Sequence, residues 1–185
     1  MRRFFWCLLV LGSSCGVSYV SGQNAKPISA LPPDGFSFIG SWNCNGAMHE
    51  TRTHKAAFTG AVVIGGKWLE LSEQDMEPVT GYVAKYLIGY DSQQQRLVEF
   101  DANNFGAALY TSNEGWQNRV LTMTSMVDET EKSSFAANRF VYTLIGSDTF
   151  TVDWQISKTT ALNWTTSDHL ACKRLQAAGD AAQHN

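Results

Sequence analysis

Residues 36–48 place Phe36, Phe38, Gly40, Trp42, Cys44, Gly46 and Met48 on one set of alternate positions. Ser37, Ile39, Ser41, Asn43, Asn45 and Ala47 occupy the other set. Successive side chains leave a strand on opposite sides, so this period of two predicts a β-strand with one buried and one solvated face. Strand character recurs at 53–64, 67–73, 81–90, 96–101, 107–111, 116–126, 135–145, 149–157 and 170–175. Turn residues separate these segments: Gly65-Gly66, the polar run 91–95, Asn103-Asn104 with Gly106, Asn113-Glu114-Gly115, and Gly146-Ser147-Asp148. The polar stretch 72–78 reads as a loop, either a lid over a cavity or an ordinary solvated turn, and the charged stretch 128–132 reads as another. Sustained helical periodicity is almost absent. About ten strands joined by short turns, without a crossover helix, imply an antiparallel meander. A meander of this length must close into a barrel or split into a sandwich to hide its edges.

Two cysteines and one arginine suggest how it closes. In an antiparallel pair the numbers of opposed residues have a constant sum. Cys44 opposite Cys172 therefore places Trp42 opposite Arg174 on the same side of the sheet. A cross-strand disulfide beside an Arg stacked on Trp would join first strand to last, provided no bulge shifts the register.

The remaining cysteines, Cys7 and Cys15, lie in an N-terminal stretch that reads as an export signal. Arg2 and Arg3 precede the apolar run 4–11, small and polar residues follow, and residues 20–22 suit cleavage. The run is too short for a stable membrane span. Lipid anchoring at Cys15 is a minor alternative. A chain exported to the periplasm or secreted, with two cysteines left, favours one disulfide over two buried thiols. The organisation expected is a signal over 1–22, a proline-containing linker over 23–35, the barrel domain over 36–175 and a flexible tail over 176–185.

With 44% hydrophobic and 17% charged residues, the chain can bury a sizeable core and is too weakly charged for disorder. The net charge of −3 and the lack of a basic block argue against nucleic acid as a partner.

Gly40-Ser41-Trp42 near the start, with an Arg near the end of the last strand, resembles the calycin and lipocalin-like barrels. Gly89-Tyr90-Asp91, Phe100-Asp101, the Gly106 turn, Glu114-Gly115 and residues 121–124 are similar to a bacterial exported lipocalin-like family of unknown function. The likeness spans most of residues 36–175. It implies an all-β, antiparallel up-and-down barrel of about 8–10 strands with a possible internal cavity. It implies no reaction.

Residues 36–175 hold no nucleophile elbow, phosphate loop, zinc-protease helix or CxxC pair, and no cofactor is expected. His49 and His54 differ by an odd number, so one continuous strand would point them to opposite faces; only a turn between them would rescue a metal site. His169 differs by an odd number from Cys172, which sets it on the face away from Trp42 and counts against haem. Glu70, Glu73, Asp101 and Asp153 could support acid–base chemistry if two share a cavity. The plainer expectation puts Asp153 on the solvent face and Asp101 at the Asn103-Asn104 turn. Arg119 and Arg139 could hold a ligand carboxylate, although Arg119 better suits the outer surface. Trp68, Tyr82, Tyr86, Phe100 and Trp154 suit the lining of a cavity for a small apolar or amphipathic molecule, and equally a solid core. Asn163-Trp164-Thr165 is a glycosylation sequon only in a eukaryotic secretory host.

Three readings follow: a small-molecule binding protein, a structural or interaction module with a filled barrel, and a cavity enzyme such as an isomerase or hydrolase. A continuous cavity with aromatic walls separates the first from the second. Two inward carboxylates, or one beside an inward histidine, favour the third.

Overall fold

The computed structural model describes residues 28–128 and 133–176. The export signal with Cys15, the first part of the linker and all of the tail but Gln176 lie outside those residues. Ten strands follow in order: β1 (Gly40–Met48), β2 (Arg52–Val63), β3 (Trp68–Glu77), β4 (Val83–Asp91), β5 (Arg96–Asn103), β6 (Gly106–Ser112), β7 (Val120–Ser125), β8 (Ala137–Leu144), β9 (Thr149–Ser157) and β10 (Thr165–Arg174). Each pairs antiparallel with the next, and β1 pairs with β10, so the sheet is a closed up-and-down barrel. The architecture is consistent with a calycin-like fold. No helix among the described residues is long and apolar enough to cross a membrane.

The β1–β10 register places Cys44 opposite Cys172 and Trp42 opposite Arg174. The two cysteines form a disulfide across the seam, with both residues buried. The Arg174 guanidinium carbon lies 4.1 Å from the centroid of the fully buried Trp42 ring. That guanidinium also donates to the Ile39 and Ser37 carbonyls, tying the entering chain to the seam.

The alternation of residues 36–48 holds, but the strand starts only at Gly40, whose φ of +116° favours glycine. Phe36 and Phe38 precede it and plug the barrel's lower end. Phe38 packs edge-on to Phe150 at 4.9 Å, Phe150 edge-on to Trp42 at 4.9 Å, and Trp42 Nε1 donates to the Phe38 carbonyl at 2.9 Å. Above this plug, Leu69, Leu71, Ile88, Leu97, Leu121, Met123 and Tyr142 fill the next layers.

Three segment boundaries differ from expectation. Residues 72–77 continue β3 in extended form instead of looping. The segment expected from Trp116 becomes a strand only at Val120, because Gly115, Asn118 and Arg119 all adopt positive φ, which no strand accommodates. Arg119 there donates to the carbonyls of Leu144 and Gly146, bracing the β8–β9 turn. β10 begins five residues earlier than expected, at Thr165, with a register shift between Thr166 and Asp168.

The disulfide closes a loop spanning 128 residues. Constraining the unfolded chain this way stabilises by up to about 5 kcal/mol on the chain-entropy account. Urea unfolding with and without a reductant should show a loss approaching that figure. An unchanged midpoint on full reduction would mean that the β1–β10 hydrogen bonds close the barrel unaided.

Candidate functional site

The end opposite the plug is open. A cavity of about 550 Å³ lies there, between Met48 and His49 at the end of β1, Phe105 at the β5–β6 turn and Phe135 before β8. Its walls come from alternate, inward positions of the strands. Tyr82, Phe105, Phe135, Phe140 and Trp154 supply aromatic surface. Tyr82 stacks on Phe105 at 6.0 Å, and Phe135 meets the Trp154 edge at 5.8 Å. The polar lining comprises His54, Glu73, Asp75, Asp101, Asn138, Ser167 and Asp168, with His49, Thr80 and Asn103.

His54 is the centre of this polar set. It is 1% exposed, on the same inward parity as Ala56 and Phe58. Its Nε2 donates to Asp75 Oδ1 at 2.9 Å, and its Nδ1 lies 2.9 Å from both oxygens of Asp168. Thr80 Oγ1 donates to the other oxygen of Asp75 at 2.5 Å. Burial opposes charge on the ring. The hydrogen bonds to Asp168 and Asp75, with their charges, prevail and raise its pKa from 6.5 to about 9. Both ring nitrogens therefore carry hydrogens at neutral pH, and His54 is an imidazolium held between two carboxylates.

Glu73 lies beside this pair on β3. Burial lifts its carboxyl from 4.5 to about 7, against a 2.5 Å hydrogen bond donated by the Tyr86 hydroxyl. Tyr82 lies 3.2 Å behind, its hydroxyl directed at that of Tyr86, so Tyr82, Tyr86 and Glu73 form a chain. Burial raises Asp101 as well, against a hydrogen bond from Asn103 Nδ2 at 3.0 Å. Deeper in the barrel, fully buried Glu99 accepts from Tyr142, while its Oε2 meets no donor. Burial, with the charge of Asp101 adding to it, pushes its carboxyl well above the ordinary value.

Of the aromatic residues expected to line a cavity, Tyr82, Tyr86 and Trp154 do so. Trp68 and Phe100 do not. Leu69 and Leu71, Glu99 and Asp101 take the inward positions, which turns Trp68 and Phe100 outward, and Phe100 is 49% exposed. They stack on each other at 6.5 Å on the outer wall. The Trp68 indole covers Gly89, where a Cβ would come within 2.0 Å of the ring.

Glu73 and Asp101 share the cavity, whereas Glu70 pairs outside with Lys85 and Asp153 outside with His169. Arg139 also lies outside, over the Trp164 ring at 4.3 Å. A turn does separate His49 from His54: His49 and Glu50 have positive φ, and both histidines reach the cavity. His54, Glu73 and Asp75 each offer a ligand atom within 4.8 Å of the others. With both nitrogens of His54 donating to carboxylates, the triad is arranged as an ion-pair network, and a metal would have to displace those hydrogens.

Asp75, Asp168 and Asn138 were missed by sequence reasoning, though the signal existed. Asp75 shares parity with Leu69 and Leu71, Asp168 with Leu170 and Cys172, and Asn138 with Phe140 and Tyr142. The sequence matches no protein-family profile and no curated protein.

The shifted groups fix a pH dependence of stability. Folded His54 holds a proton more firmly than the unfolded chain, so its contribution is full below pH 6.5 and is lost as pH rises through about 9. Glu73 also binds its proton more firmly when folded, so stability falls as pH rises from 4.5 through about 7. Glu99 and Asp101 act in the same sense. Urea midpoints should therefore decline steadily from pH 5 to pH 9. Glu73→Gln should flatten the lower part of that decline, and His54→Gln the upper part while lowering stability throughout. A midpoint rising from pH 5 to pH 8 would contradict these assignments.

Proposed function

We propose that this chain is a binding protein for a small amphipathic molecule, held in the open end of the barrel. The observation that carries the reading is the division of one cavity into an aromatic wall and a buried polar floor. Its volume of about 550 Å³ falls within the range of small-molecule sites. A filled structural barrel has no use for buried carboxylates that face a void, because such groups cost stability unless they are paired or solvated. The disulfide fits an oxidising compartment. Together with the export-type N-terminus and the lipocalin-like resemblance, it supports a role outside the cytoplasm.

A second reading, acid–base chemistry on the bound molecule, is favoured by one observation. Glu73, brought to about 7 and linked to Tyr86, could give or take a proton near neutral pH. The two features set out for this reading, paired inward carboxylates and a carboxylate beside an inward histidine, are both present.

Titration with N-phenyl-1-naphthylamine, whose fluorescence rises in apolar surroundings, tests the site. Trp154→Ala should weaken probe binding about three- to tenfold, the scale of one lost aromatic contact. Trp68→Ala, on the outer wall, should leave it unchanged. Absence of binding, or equal effects of the two substitutions, would refute the proposal. Native mass spectrometry of protein purified from its own source should show a small molecule that is released on unfolding. Recovery of that molecule chemically altered after incubation would favour the acid–base reading.

A further inference from the structure

The lining of the cavity is lopsided in both charge and hydrogen-bonding capacity. Glu73, Asp75, Asp101 and Asp168 all face it, and no Lys or Arg occurs among the described residues that line it. Its one buried cation, His54, is shared between Asp75 and Asp168. Three donors of the floor are spent on carboxylates: Thr80 on Asp75, Tyr86 on Glu73, and the Asn103 amide on Asp101. The carboxylates keep acceptor capacity beyond these bonds. Tyr86 occupies one oxygen of Glu73 and Asn103 one oxygen of Asp101, and a carboxylate can accept about four hydrogen bonds. Independently of these acids, Asn138 lies in the cavity wall and is 8% exposed, with its Oδ1 turned out of reach of the open space and unmatched by any donor. An unmatched buried acceptor costs stability, and rotating the amide would present it to a ligand's hydrogen.

We propose that the ligand is an organic amine, its ammonium group seated among Glu73, Asp101 and Asn138 and its apolar body against Phe140 and Trp154. The assignment rests on the binding reading above and names the ligand class. An ammonium offers three donors and one positive charge, which answers both deficits of the floor at once. An anionic ligand would bring a further carboxylate into a cavity already lined by four acids, with no Lys or Arg among its described lining to meet it. A neutral alcohol supplies one donor and no charge. A divalent metal is disfavoured by geometry, since both His54 nitrogens are engaged 2.9 Å from carboxylate oxygens. Glu73 and Asp101 lie on the two strands flanking β4, opposite Ala84 and Tyr86, which puts the two acids on one part of the cavity.

Calorimetric titration of the disulfide-bonded protein at pH 7.5 and low salt, with two matched ligand series, tests this. One series is tryptamine, tryptophol and indole-3-acetate; the other is octylamine, octanol and octanoate. Within each series the amine should bind about tenfold to hundredfold tighter than the alcohol, the scale of charge-assisted hydrogen bonds, and the carboxylate weakest. Glu73→Gln should reduce that amine preference about tenfold without changing alcohol affinity. Asn138→Leu provides a second, uncharged test, with a smaller loss confined to the amines. Equal affinity for amine and alcohol overturns the amine assignment and leaves the binding reading standing. Failure of all six compounds to bind overturns both. Tight Zn2+ binding lost in His54→Gln, with no amine preference, would overturn it in favour of a metal site.

Discussion

Closure of β1 onto β10 is the constraint on which the rest of the molecule depends. An up-and-down meander has two free edges, and only the pairing of its first and last strands removes both. Here one short segment does several jobs. Cys44 bonds covalently to Cys172, Trp42 receives the Arg174 guanidinium on its face, and that guanidinium holds the Ser37 and Ile39 carbonyls. Because Arg174 fixes where the entering chain lies, Phe36 and Phe38 are directed into the barrel end and not away from it. The seam therefore sets the plug, and the plug decides which end is left open.

The open end has a cost. His54 and Asp75 are almost wholly withdrawn from water, Asp168 largely so, and replacing such an ionic group by apolar residues of similar size is often neutral or stabilising. Burial above all, reinforced by neighbouring acids, raises the pKa of both Glu73 and Glu99, which is a further departure from a stable core. The inward positions near the lower end are filled as a core should be, with leucine, isoleucine, methionine and aromatic rings. The polar positions are concentrated at the other end. Such segregation points to function at the upper end, since stability alone would have filled both.

Much of this was legible in the sequence, and the failures share one cause. The constant-sum argument gave the β1–β10 register correctly because no bulge intervenes between Trp42 and Cys44 or between Cys172 and Arg174. Parity also placed His169 outside. The reading failed where an inward position carried a polar residue. Ser72 to Glu77 looked like a loop because its composition is polar, yet its parity continues Leu69 and Leu71 into Glu73 and Asp75. Likewise β10 seemed to begin at Leu170, although Asp168 has the same parity. Hydrophobic periodicity locates buried faces by their apolarity, so it goes blind at a buried polar site. Trp68 and Phe100 show the converse error: both rings suit an interior by their aromatic character, whereas parity and Gly89 place them on the outer wall.

What sequence patterning could not decide is whether the interior is full, and the structure resolves this through chemistry more than volume. Voids that stay dry in proteins are lined by apolar groups, while a polar-lined space of this size is occupied by water or ligand. The floor, with its carboxylates, holds water strongly; the wall of Phe140, Trp154, Phe135 and Phe105 gains by losing it. Water alone satisfies the first surface and not the second. A molecule with one apolar end and one hydrogen-donating end satisfies both, and it does so only in one orientation. The proposed occupant follows from that asymmetry: a two-faced molecule whose polar face donates.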